Sequence, residues 1–130
     1  MTIDIRHNPD KAFLIITVTG QLSDEEYQAA MDEIIKSDQY PASINALWDV
    51  REQDFRGVNS SSVKNIIEIS KQYPERGGSR VAFVVKDNLA YGMLRMYELS
   101  TSVEEFESTQ NHRVFRDYSE GEEWLLAEES

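Results

Sequence analysis

Three acidic residues are candidates for chemistry because they lie at the end of the apolar segment 44–50 or just after it: Asp49, Glu52 and Asp54. Open α/β sheets usually bind ligands where central strands end, and carboxylates there could hold a hard cation or act as acid and base. The spacing differs from that of a calcium-binding loop, and Arg51 and Arg56 are interleaved with the acids. We therefore predict a salt-bridged loop without a bound metal ion.

A polar run, Asn59-Ser60-Ser61-Ser62, precedes a segment with the apolar spacing of a helix. The start of a helix carries partial positive charge and free N–H groups, both of which would stabilise a phosphate. Ser60 and Ser61 are therefore candidates for phosphorylation. Plain helix capping is the alternative, because serine caps helices without any modification.

The helix predicted from about Asn88 combines aromatic, thioether and cationic groups, and its candidates for ligand binding are Tyr91, Met93, Arg95 and Met96. Leu89, Met93, Met96 and Tyr97 are predicted to share one face of this helix, and methionine often lines adaptable pockets. Arg95 lies off that face and could hold a ligand carboxylate or phosphate. The alternative is an ordinary core helix with one surface ion pair.

Most enzymatic mechanisms find no support in the sequence. Cysteine is absent, which excludes disulfides, thiolate catalysis and iron–sulfur clusters. His7 and His112 have no partner at metal-binding spacing, and no Gly-x-Ser-x-Gly motif is present. We predict no catalytic residue, cofactor or metal ion; a hydrolase that uses Asp49, Asp54 and a histidine is the least favoured hypothesis.

The charge balance argues against polyanionic partners. The chain has 24 acidic and 13 basic residues, a net charge of −11, and the bases form no cluster. Nucleic acid and anionic membrane surfaces would be repelled. The sequence has no long apolar run, and its start lacks the features of a signal peptide, so we expect a cytoplasmic protein without membrane insertion. Edge strands could support a symmetric homodimer.

Hydrophobic patterning predicts one α/β domain over residues 1–130, in the order β-β-α-β-α-β-α-β-α. The predicted strands are 3–7, 12–19, 44–50, 81–85 and 113–116. Two capping boxes, Ser23 with Glu26 and Ser119 with Glu122, predict where the first and last helices begin. The expected architecture is a mixed β-sheet with an antiparallel hairpin at its start, parallel inner strands and about four covering helices.

Several short motifs resemble those of SpoIIAA-like proteins with a STAS-type fold, and the likeness covers about residues 10–127: Leu47-Trp48-Asp49-Val50-Arg51, Val81-Ala82-Phe83-Val84-Val85, Tyr91-Gly92-Met93-Leu94-Arg95-Met96-Tyr97 and Val114-Phe115-Arg116-Asp117. The resemblance implies a bacterial protein. The wider fold includes anti-sigma-factor antagonists and a lipid-binding branch. In the antagonists a partner kinase phosphorylates the first serine of an Asp-Ser-Ser-Gly motif, which implies Ser60 here, with Asn59 and Ser62 in place of the acid and the glycine.

The resemblance implies a non-enzymatic regulatory or protein-interaction module, whose predicted partner surface consists of Asp49, Glu52, Asp54 and Asn59. The alternative is a carrier or sensor for a small apolar or anionic, lipid-like ligand. A flat surface over residues 51–66 would favour the first hypothesis. An enclosed apolar cavity lined by the third helix would favour the second.

Overall fold

The computed structural model describes residues 3–7, 10–103 and 111–127, apart from the side chains of 98–103. The strands are β1 (Ile3–His7), β2 (Phe13–Gly20), β3 (Asn45–Gln53), β4 (Arg80–Val84) and β5 (Asn111–Phe115). The helices are α1 (Asp24–Lys36), α2 (Ser60–Ser70), α3 (Asn88–Val103) and α4 (Tyr118–Leu126), with a short 3₁₀ turn at Pro74–Arg76.

One five-stranded sheet forms the centre of the molecule, in the order β1-β2-β3-β4-β5. The first two strands pair antiparallel, with Ile3 opposite Val18, and every other pair is parallel. The two apolar inner segments lie side by side as predicted, with Leu47 opposite Ala82. The predicted α/β class, hairpin, parallel inner strands and four helices are confirmed.

The two faces of the sheet build separate cores because side chains alternate along each strand. On β3, Ala46, Trp48 and Val50 join a large cluster beneath α1, α2 and α3. Leu47 points the other way and packs with Ala82 of β4 and Leu125 of α4. The inner strands are therefore buried on both sides, which explains their almost continuous apolar sequence.

Helix α1 begins where the sequence predicts. The Ser23 hydroxyl accepts a hydrogen bond from the Glu26 amide at 3.1 Å, and the Glu26 carboxylate accepts one from the Ser23 amide at 3.3 Å. This reciprocal pair satisfies two amides that the helix cannot bond internally. The buried face has the predicted spacing and consists of Tyr27, Ala30, Met31 and Ile34.

The structure corrects three local predictions. Helix α3 continues to Val103 through the serine and threonine residues expected to interrupt it. Its buried residues start from Ala90, while Leu89 and Met96 are 51% and 37% exposed, so the apolar face is rotated relative to the prediction. Helix α4 is capped by Asp117, which accepts from the Ser119 amide at 2.8 Å, and not by Ser119. A carboxylate at this position also interacts favourably with the helix dipole.

Two leucines test the assignment of the core. Leu47→Ala should lower the free energy of unfolding by about 3 to 5 kcal/mol, because Leu47 is fully buried between β4 and α4. Leu126→Ala is the control, since Leu126 is 55% exposed, and it should cost within about 0.5 kcal/mol. Urea unfolding of both variants measures this. Equal losses would contradict the described packing of the sheet against α4.

Candidate functional site

A cavity of about 350 Å³ lies between the sheet and the three helices that cover one of its faces, α1, α2 and α3. Its floor comes from β3 and β4, and its walls come from α1, α2 and α3. The apolar lining residues on these elements are Tyr27, Met31, Ile34, Trp48, Val50, Val63, Ile66, Val81, Phe83, Met93, Leu94 and Tyr97. The carrier hypothesis called for an enclosed apolar cavity lined by the third helix. Three of these side chains belong to α3, and the cavity is open to solvent at one end.

Aromatic rings hold the floor of the cavity in place. The Trp48 ring on β3 lies 5.7 Å from that of Tyr27 and 6.5 Å from that of Phe83, centroid to centroid. Phe83 in turn meets Tyr97 of α3 edge to face, at 5.8 Å. Such contacts fix ring orientation in addition to burying area. The floor is therefore a rigid aromatic surface shared by both inner strands.

Residues 21–24 and 53–58, which include the loops that follow β2 and β3, form the mouth of the cavity at the carboxyl ends of these strands. The Asp54 amide donates to the Gly20 carbonyl at 2.8 Å, which ties the two loops together. Phe55 is buried and anchors the second loop in the main core. The mouth thus lies where open α/β sheets usually place their ligands.

Two acids at the end of β3 each pair with a neighbouring arginine, as the sequence predicts. Asp54 lines the mouth, whereas Asp49 lies on the opposite face of the sheet, where its partner Arg51 contacts the Tyr118 ring of α4. Asp49 accepts two hydrogen bonds from the Arg51 guanidinium, both at 2.8 Å, and Asp54 is paired in the same way with Arg56. The Arg51 hydrogen bonds lower the pKa of Asp49, and those of Arg56 lower the pKa of Asp54 to about 2. No cluster of acidic or histidine residues that could hold a metal ion is present in the described part of the chain.

A buried trio of hydroxyls joins the three helices behind the cavity wall. Ser70 of α2 donates to the Ile66 carbonyl at 2.9 Å. The Ser70 hydroxyl is also hydrogen-bonded to the hydroxyls of Tyr27 and Tyr97, at 2.8 and 3.2 Å, and either oxygen can be the donor in each pair. Burial raises the pKa of both tyrosines, and both are neutral. The three buried hydroxyls therefore bond to one another and to the backbone of α2.

Arg76 lines the cavity at the end opposite the mouth, which we call the inner end. It is only 2% exposed, and its Nη1 donates to the carbonyls of Ala42, at 2.9 Å, and Ile44, which precede β3. Its Nε has no hydrogen-bond partner, and no ion pair joins it to a carboxylate of the described residues. The sequence analysis missed this residue because nothing in Pro74–Arg76 marks it as buried.

His112 of β5 lies beside this region. Its ring stacks on Phe83 at 6.0 Å and meets Tyr97 edge to face at 4.9 Å, and its Nδ1 has no hydrogen-bond partner. Burial, and secondarily the charge of Arg76, lower the pKa of His112 to about 4. The side chain is therefore a neutral part of the core at neutral pH.

The ligand-binding candidates on α3 divide between cavity and surface. Met93 lines the cavity, whereas Tyr91, Arg95 and Met96 are not lining residues. The Tyr91 ring lies under the Arg116 guanidinium, 4.5 Å from centroid to carbon. Only one of the four candidates therefore lines the cavity, because the apolar face of α3 is rotated from its predicted position.

The phosphorylation candidates lie beside the mouth. Asn59 caps α2 by accepting from the Ser62 amide at 3.1 Å. Ser60 and Ser61 are exposed in the first turn, and neither hydroxyl has a hydrogen-bond partner among the described residues. The capping alternative thus applies to Asn59 and Ser62. Of the predicted partner surface, Glu52 lies 4.0 Å from the Lys86 ammonium.

The burial of His112 makes stability depend on pH. The unfolded chain binds a proton at this side chain below its ordinary pKa of 6.5, whereas the folded chain does so only near pH 4. Stability from the neutral ring is therefore present above pH 6.5 and is lost as the pH falls towards 4. The wild type should lose about 2 to 3 kcal/mol more than His112→Phe between about pH 7 and about pH 4, measured by urea unfolding. Parallel losses would show that His112 is protonated in the folded state.

Among solved structures the chain is similar to one described as an uncharacterized protein from the DUF3478 family with a SpoIIAA-like fold, from Shewanella loihica PV-4. The TM-score is 0.59 over 95% of this chain and 92% of that one, and the sequences are 21% identical. No family model and no curated protein matches the chain. No helix within the described residues is long and apolar enough to cross a membrane. The predicted resemblance is confirmed at the level of architecture: the chain has a SpoIIAA-like fold.

Proposed function

We propose that this SpoIIAA-like module is a carrier or sensor that binds a small, mainly apolar molecule in the cavity beneath α1, α2 and α3. The observation that carries the proposal is the cavity itself, with its volume of about 350 Å³ and its lining of aromatic and aliphatic side chains. Small-molecule sites in proteins have volumes of about 300 to 1,000 Å³ and are lined mainly by such residues.

The free-energy cost of an unfilled cavity supports the proposal. Protein interiors pack as densely as organic crystals, and voids larger than a water molecule are few. Side chains around a space that nothing fills lose dispersion contacts, which weakens folding. A rigid aromatic floor formed by Trp48 and Phe83 therefore favours a site kept open for a ligand over a loosely packed core.

A non-enzymatic regulatory or protein-interaction module is the second candidate function, and the observation that favours it is the first turn of α2. Ser60 and Ser61 are exposed there, and the neighbouring residues Val58 and Ser62 line the cavity. A phosphate on either serine would gain from the start of the helix. A partner bound at this turn would lie beside the mouth, so the two functions are compatible in one protein.

Filling the cavity tests the first proposal. Wild-type protein should bind the neutral fluorescent probe N-phenylnaphthylamine, and Met93→Trp should weaken binding at least tenfold because the indole occupies the space beside the floor. Leu89→Trp is the control, since Leu89 is exposed on the same helix and should leave affinity unchanged. Calorimetric titration measures the affinities, and thermal melts establish that both variants fold. Equal affinity in the three proteins would place the probe outside the cavity, and no binding to the wild type would contradict the proposal.

A further inference from the structure

We infer that the molecule bound in the cavity is an amphiphile with one anionic end group, a carboxylate or a phosphate, and that Arg76 holds this group at the inner end. The inference rests on the proposed ligand-binding function and specifies the chemical class of the ligand. Arg76 is a residue of the cavity lining, and the lining between it and the mouth is largely apolar. A chain with a charged end fits this arrangement.

The first support is the unbalanced charge of Arg76. Its side chain is 2% exposed, yet no carboxylate of the described residues pairs with it. Burying an ion without a partner costs several kcal/mol, and buried charges are therefore normally paired. Burial lowers the pKa of Arg76 to about 10, so the group is still charged at neutral pH.

The second support is the unused hydrogen-bonding capacity of the guanidinium. Arginine has five N–H donors, arranged so that two of them can bind one carboxylate or phosphate side by side. The Nη1 group of Arg76 bonds the carbonyls of Ala42 and Ile44, while Nε is buried and has no partner. An anionic oxygen beside the guanidinium would balance the charge, and a small shift of the buried side chain towards the cavity would let that oxygen accept from Nε as well.

The surroundings of Arg76 provide no substitute for such an anion. The Tyr27 and Tyr97 hydroxyls are neutral, and both are hydrogen-bonded to the Ser70 hydroxyl. His112, whose pKa Arg76 lowers, is neutral as well. Asp54 at the mouth is paired with Arg56, and Asp49, on the other face of the sheet, is paired with Arg51. No described residue near Arg76 therefore supplies a negative charge, and a bound anion would supply one.

Three ligands with the same chain and different end groups test the inference by calorimetry on the wild type: decanoate, decanol and decyltrimethylammonium. Decanoate should bind at least tenfold more tightly than decanol, and the cation should bind more weakly than either. Decyl phosphate compared with decanoate then shows which anionic group fits better. Equal affinity for decanoate and decanol would overturn the role of Arg76 and leave the proposed function intact. If none of the ligands binds, the proposed function itself fails.

Two arginine variants locate the anion. Arg76→Met should bind decanol as the wild type does and lose the tenfold preference for decanoate. Arg113→Met is the matched control, because Arg113 is exposed on β5, lies over the Trp124 ring and does not line the cavity. A preference that survives Arg76→Met, or is lost in Arg113→Met, would overturn the inference.

The bonds from Arg76 to Ala42 and Ile44 also stabilise the fold, so a readout on the wild type is needed if Arg76→Met fails to fold. The NMR resonance of the Arg76 Nε–H should shift on addition of decanoate and stay in place with decanol. An unchanged resonance at saturating decanoate would show that the anion binds elsewhere.

Discussion

The parallel pairing of consecutive strands determines most of this architecture. Four strands lie next to one another in chain order and run in the same direction: β2, β3, β4 and β5. Each connection between them must therefore return over one face of the sheet. Right-handed crossovers between neighbours in one direction place α1, α2 and α3 on the same face. The other face is covered by α4 alone. The asymmetry gives one face a thin, closely packed core and the other a deeper core, in which the cavity lies.

In the deeper core, the polarity of the side chains changes from one end of β3 to the other. At the carboxyl end of the strand, Asp54 and Arg56 pair with each other at the mouth. Aromatic side chains fill the middle, and the amino-terminal end holds Arg76, whose charge no described carboxylate balances. A buried charge without a counter-ion lowers the stability of the fold. Because Arg76 lies on the cavity wall, a bound anion would offset this cost.

The fold could be predicted from the sequence because local signals agree with one another. The apolar segments 44–50 and 81–85 read as buried strands, and the Ser23 and Glu26 pair marks the start of α1, where the structure has it. The site could be predicted only in part. The face of α3 was misplaced because Leu89 and Ala90 are both apolar, and tertiary packing buries Ala90. The hydropathy pattern does not indicate that Arg76 is buried, because the carbonyls that accept its hydrogen bonds belong to residues more than thirty positions earlier.

The central claim is that the cavity on the three-helix face exists to hold a small molecule. Native mass spectrometry of the protein purified from its own cells, under conditions that preserve non-covalent complexes, tests the claim most directly. We expect a fraction of the protein to carry added mass that is released on denaturation and contains an acidic group. Protein that consistently shows only the mass of the polypeptide, whatever the growth conditions, would contradict it.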